Sequence, residues 1–115
     1  MQLDVFLTKM ADGFKHCLDL AKERSDYAKK ENAFENLMAA ERLDIGTTEE
    51  GMLREVIKKL IRTKNSLRKE PRPIKSINND VDDMINYLMF LRIYVQWKDD
   101  MSFDDKVPLP GRNDV

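Results

Sequence analysis

The sequence predicts an all-α fold, a single domain resembling a four-helix bundle, and three observations predict it. Apolar residues recur at alternating steps of four and three near the amino terminus, the spacing of one helix face. Glycine and proline are scarce, four of each in 115 residues, which argues against turn-dense β architectures. Pro71 and Pro73 stand together between two long periodic stretches, a short break of the kind that folds one helix back on the next.

Each element follows from local signals. Leu3, Leu7, Met10, Phe14, Cys17 and Ala21 form the stripe of a first helix over about Leu3–Lys29, widened by Phe6 and Leu18. Gly13 inside it costs about 1 kcal/mol relative to alanine and suits the close approach of another helix. Asn32 and Glu35 have capping-box spacing and open a second, short helix to about Arg42, with Phe34, Leu37, Met38 and Ala40 on its apolar side. Gly46 breaks the chain. Thr47 and Glu50 repeat the cap pattern, and a third helix runs from Thr48 to about Leu67. Its expected core stripe is Leu53, Val56, Ile57, Leu60 and Leu67, with Arg54, Lys58, Arg62 and Lys69 as a basic band on the other side. Asn78 or Asn79 is the expected cap of a fourth helix, with Asp80, Asp82 and Asp83 near its positive end. Val81, Met84, Ile85, Leu88, Leu91, Arg92 and Val95 should line its inner side as far as about Lys98, with Trp97 at the end. This gives a helical domain over residues 1–99. The remainder, 100–115, is charged and carries two prolines and a glycine, the composition of a mobile tail or an arm that orders against a partner.

Charge is balanced overall and uneven locally. The net value is −1, which argues against a globally basic nucleic-acid binder and leaves nucleic-acid binding through Arg54, Lys58, Arg62 and Lys69 as the weakest expectation. Residues 54–75 nevertheless hold nine basic side chains against two acidic ones, so this segment is at +7 and the rest of the chain at −8. Such a field attracts phosphates, nucleotides or an acidic patch on a second subunit; the plainer reading is a solvated helix face paired with the acidic remainder. No run of eighteen apolar residues exists, so no membrane partner is expected. The amino terminus lacks the pattern of a secretion signal. Cys17, the lone cysteine, fits a reducing cytoplasm.

Few constellations could carry chemistry. One histidine and one cysteine make no zinc set, and glycine-rich phosphate loops are absent. His16 and Cys17 are adjacent on a helix and point about 100° apart, so Cys17 reads as a buried, inert thiol. Asp80, Asp83 and Tyr87, at steps of three and four, share one helix edge. Two carboxylates there suit Mg²⁺, with the basic band holding the phosphates that the ion bridges; the plainer alternative is ordinary first-turn acids.

The stretches SDYAKKENAFENL (25–37), REVIKKLIRTKN (54–65) and NNDVDDMINYL (78–88) resemble elements of small phage proteins of the nucleotide-modification-associated family. These in turn are similar to MazG-like all-α nucleoside triphosphate pyrophosphohydrolases. The resemblance covers about residues 10–95. It implies a nucleotide or other phosphorylated small molecule as ligand, Mg²⁺ as cofactor, and the cytoplasm of a phage host; a homo-oligomer is expected because one chain of this size offers few helices to enclose a ligand and its seven methionines make adaptable surfaces. The resemblance implies metal binding by Asp83 with Asp80, phosphate contacts from Lys59 and Arg62, Asn86 and Tyr87 closing the pocket, and Asp26, Tyr27, Asn32 and Asn36 on the nucleotide side. The glutamate pair of the pyrophosphohydrolases is incomplete, since Glu50 and Glu55 stand five apart and do not share a face. A non-catalytic phage interaction protein, inhibiting a host defence component or sequestering a nucleotide, is therefore the second expectation.

Overall fold

The computed structural model of the chain describes residues 1–23, Met38, Leu43 and 45–106, with side chains as far as Met101. These residues form three helices and no strand: α1 (Leu3–Glu23), α2 (Thr48–Ser66) and α3 (Ile74–Lys106). The all-helical class expected from the periodicity is what the chain adopts. The short helix expected over 32–42 lies outside the described residues, apart from a turn at Met38.

The start of α2 follows the cap chemistry. Thr47 has extended backbone, its hydroxyl oxygen accepts from the Glu50 amide at 3.1 Å, and its Oγ1 meets Glu50 Oε1 at 2.9 Å. Gly46 precedes it with φ 148°, a backbone region that side chains disfavour, so glycine is needed where the chain turns into the helix. Beyond Ser66 the chain turns tightly: Arg68 N–H donates to Asn65 and Lys69 N–H to Ser66 before Pro71. Pro73 then starts α3 rather than delaying it, because its fixed φ suits a helix entry and its carbonyl accepts from Ile77 at 3.0 Å. Asn78 and Asn79 consequently lie inside α3, not at its cap, and Asp80, Asp82 and Asp83 sit beyond its first turn. At its other end α3 runs to Lys106, so the helix enters the segment expected to be a mobile tail. Its 33 residues span about 50 Å at 1.5 Å per residue.

α2 and α3 pack antiparallel. Going along α2, Glu49 lies by Lys98, Met52 shares a core with Tyr94, Lys59 meets Asp83, and Arg62 meets Asp80. Met52 and Tyr94 are fully buried, with Met38, Tyr87, Phe90, Leu91 and Trp97 packed around them. Tyr87 meets Phe90 edge-on at 6.0 Å and Tyr94 lies 5.8 Å from Trp97, separations that favour ring contact. α1 joins α3 through the surroundings of Cys17.

The expected core stripe of α2 is corrected by this packing. Thr48, Met52, Lys59, Thr63 and Ser66 face inward, whereas Leu53, Ile57, Leu60 and Leu67 are exposed, Leu60 at 57%. Val56 alone of the predicted stripe is half-buried. The helix is turned by about a third of a turn from the orientation hydrophobicity suggests. On α3, Met84, Ile85 and Leu91 are half-buried as expected, but Val81, Leu88, Arg92 and Val95 are exposed. Asp80, Asn86 and Tyr94 hold the buried positions instead.

Candidate functional site: an ionic cluster on the helical hairpin

The inward position of Lys59 follows from its register with Met52: seven residues apart, both lie on the α2 face that meets α3. Three residues further, Arg62 lies at the rim of that face. From α3, Asp80 and Asp83, one turn apart, reach the same place. Lys59 Nζ lies 3.2 Å from Asp83 Oδ2 and 4.0 Å from Asp80 Oδ1. Arg62 Nη2 lies 3.4 Å from Asp80 Oδ1. Burial is graded across the cluster. The side chain of Asp80 is 4% exposed, Asp83 and Lys59 are mostly covered, and Arg62 is 62% exposed. Two cations thus meet two carboxylates, the local charge sums to zero, and Arg62 is the member in reach of solvent.

Four residues singled out from the sequence, Lys59, Arg62, Asp80 and Asp83, therefore meet in one place. Two others serve a different purpose. Asn86 is buried and its Nδ2 donates to the Cys17 carbonyl at 3.0 Å, tying α3 to α1 rather than closing a pocket. Tyr87 is half-buried among the aromatic residues beside Met52 and Tyr94. Asp26, Tyr27, Asn32 and Asn36 lie outside the described residues.

Asp82 is the residue that sequence reasoning passed over. It stands four before Asn86 on the side of α3 toward α1, where its Oδ1 accepts from the Cys17 thiol at 3.6 Å and its Oδ2 lies 3.3 Å from His16 Nε2. His16 and Cys17 do not face each other, yet both reach one carboxylate. Burial, with the negative charge of Asp82 added, pushes the Cys17 thiol up from its ordinary value, the opposite of what a nucleophile needs. The spacing of Asp82 and Asn86 was a usable signal, because residues four apart on a helix address the same neighbour.

Among the described residues, no three His, Cys, Asp or Glu side chains converge to hold a metal ion. Asp80 and Asp83 are a carboxylate pair already compensated by Lys59 and Arg62, so a divalent cation has to displace the Lys59 ammonium to reach both. The other two candidate acids are engaged on α2 itself, Glu50 with Thr47 and Glu55 with Lys58 at 3.0 Å. No helix among the described residues is long and apolar enough to cross a membrane. No family model, curated protein or solved structure matches the chain.

Proposed function

We propose that the chain is a MazG-like nucleotide-binding protein of the phage type, which binds an Mg²⁺–nucleotide on the Lys59–Arg62–Asp80–Asp83 cluster. The observation that supports this reading is the meeting of those four side chains across α2 and α3. A phosphate alone is a poor ligand for a neutral cluster, because it strands the buried acids. An Mg²⁺–phosphate pair is a better one. Asp80 and Asp83 would hold the ion, and Lys59 and Arg62 would hold the phosphate oxygens. Arg62, 62% exposed and 3.4 Å from Asp80, is the member freest to move first. The engagement of Glu50 and Glu55 elsewhere favours binding over pyrophosphate release, since neither is aimed at the cluster.

The test is a panel of nucleoside di- and triphosphates with Mg²⁺, read by melting temperature and product analysis on the same samples. Expected is a rise in melting temperature with a member of the panel and no turnover, with the rise lost in Arg62→Ala. No rise with any member overturns the reading. Pyrophosphate release abolished by Asp83→Ala replaces binding with hydrolysis.

A second reading, a non-catalytic interaction protein contacting a host component, is supported by the outer face of α2. There Leu53, Ile57, Leu60 and Leu67 are exposed beside Arg54, Lys58 and Lys64, a surface that fits an acidic partner with an apolar stripe. A stable complex recovered with that face intact and lost in Leu60→Glu, without any nucleotide effect, decides for it.

A further inference from the structure

α1 carries a stripe that the described residues leave largely exposed. Leu3, Phe6, Leu7, Met10, Phe14 and Leu18 are between 41% and 70% exposed, and of the 21 residues of α1 only Cys17 is buried. The stripe is a strict heptad pattern: Leu3, Met10 and Cys17 occupy d positions, and Leu7, Phe14 and Ala21 occupy a positions. Lys9, Asp12, Lys15, His16 and Asp19 all fall at b, c or f, away from the seam. The flanking e and g positions hold Asp4, Ala11 and Leu18, and Phe6, Gly13 and Leu20, so Asp4 is the one charge beside it.

We infer that the occupant of this face is α1 of a second copy of the chain, lying antiparallel over residues 3–14. Antiparallel seams pair an a position with a d position, and in this stretch two such layers close about one twofold axis. Leu3 meets Phe14 of the other copy and Leu7 meets its Met10, each twice by symmetry. The flanks fit by size. Phe6, a g position, lies over the g position of Gly13, and Asp4 lies beside Ala11. A side chain at Gly13 would meet none of the described residues within 4 Å, so they supply no packing reason for a glycine there. A facing Phe6 supplies one. The axis falls between residues 8 and 9 because Cys17 is already taken by α3, and an antiparallel arrangement sends the two α3 helices to opposite ends.

The area suffices. The five side chains within residues 3–14, about half exposed, offer on the order of 100 Å² each, or roughly 1,000 Å² for two copies, the ~1,000 Å² expected of a specific interface. Because the pairing uses α1 alone, it is independent of the nucleotide reading.

The experiment uses the full chain in a Cys17→Ser background. Its mass is measured by analytical ultracentrifugation, and spin labels at Lys9→Cys or Asp19→Cys report distances by dipolar spectroscopy. Expected is a dimer in which labels at position 9 lie within about 25 Å, the width of two helices. Labels at position 19 are separated by about 30 Å along the axis in addition. Leu7→Glu should weaken the dimer at least tenfold while helix content by circular dichroism is retained, since Leu7 is 53% exposed in the single chain. A monomer, equal distances at the two positions, or a dimer unmoved by Leu7→Glu overturns the inference. So does a monomer whose α1 is instead protected by phospholipid vesicles.

Discussion

Two faces of α2, about a third of a turn apart, carry opposite chemistry and point in unexpected directions. The face against α3 holds Thr48, Lys59, Thr63 and Ser66 around Met52, and pairs Lys59 and Arg62 with buried acids. The face away from α3 holds Leu53, Ile57, Leu60 and Leu67. Burying ions while exposing leucines is a costly arrangement for an isolated domain. Charges taken from water are barely repaid by their pairing, and exposed apolar stripes forgo about 25 cal/mol per Å². The difference is informative because the two faces do different jobs. An ionic seam sets register, since a shift of α2 along α3 would leave Asp80 without a cation; a leucine stripe tolerates many registers. The seam positions the cluster, and the stripes on α1 and α2 remain for other surfaces.

The sharpest way to break this comparison is to remove one ion from the seam. Lys59→Met should cost about 3–5 kcal/mol by chemical denaturation, because it removes the ammonium 3.2 Å from the mostly buried Asp83 and leaves Asp80 with Arg62 alone of the two cations. Adding Asp83→Leu should recover much of that loss, since an apolar pair replaces an ionic one at little net cost. Arg62→Ala should cost less, about 1 kcal/mol, because Arg62 is 62% exposed and Lys59 remains 4.0 Å from Asp80. If Lys59→Met is as mild as Arg62→Ala, the seam is not held in register by its ions. Next in size is Met52→Ala, expected to cost about 2–5 kcal/mol for a cavity beside Tyr94, read from the same denaturation curves.

How much of this was legible beforehand depends on which physics dominates each element. The caps and breaks were readable because they are local: Thr47 bonds Glu50 as its spacing predicts, and Gly46 takes the backbone that only glycine adopts easily. The orientation of α2 was not. Hydrophobic periodicity identifies the apolar face of a helix and assumes that its own chain covers it, and here Met52 and Lys59 win the seam because Tyr94, Asp80 and Asp83 are complementary to them. The start of α3 is not local in the same way: Pro73 has the signature of a stop, yet a proline that ends one helix can open the next. The cluster was legible as a set of residues, since charge runs and one-turn spacing both survive in sequence. Its neutrality was not, because that depends on the antiparallel register that brings 59 to 83 and 62 to 80.

A smaller effect tests the hinge before α2. Gly46→Ala should cost about 1 kcal/mol, from backbone strain at φ 148°. The guanidinium of Arg54, 3.8 Å from where the new Cβ would sit, adds no clash. A shift in melting temperature without a change in the Lys59→Met penalty would show that the turn and the seam are separate contributions; a coupled change would show that the turn helps to set the register.

The smallest expected effect is also the most discriminating for the outer face. Ile57→Gln replaces an apolar side chain, 55% exposed, by a polar one of good helix propensity, so the stability of the dilute chain should change by no more than about 0.5 kcal/mol. The same change at a packed position would cost several times more, as Met52→Ala should. Two readouts separate the explanations. If Ile57→Gln leaves both the denaturation midpoint and the mass of the assembly unchanged, the outer stripe of α2 is free for a further protein, and α1 alone joins the copies. If the midpoint falls only at high protein concentration, the stripe is covered by another copy, because mass action ties its burial to how much chain is present. A large loss at every concentration would mean that Ile57 is inside after all. The two faces of α2 would then have to be exchanged, and with them the pairing of Lys59 with Asp83.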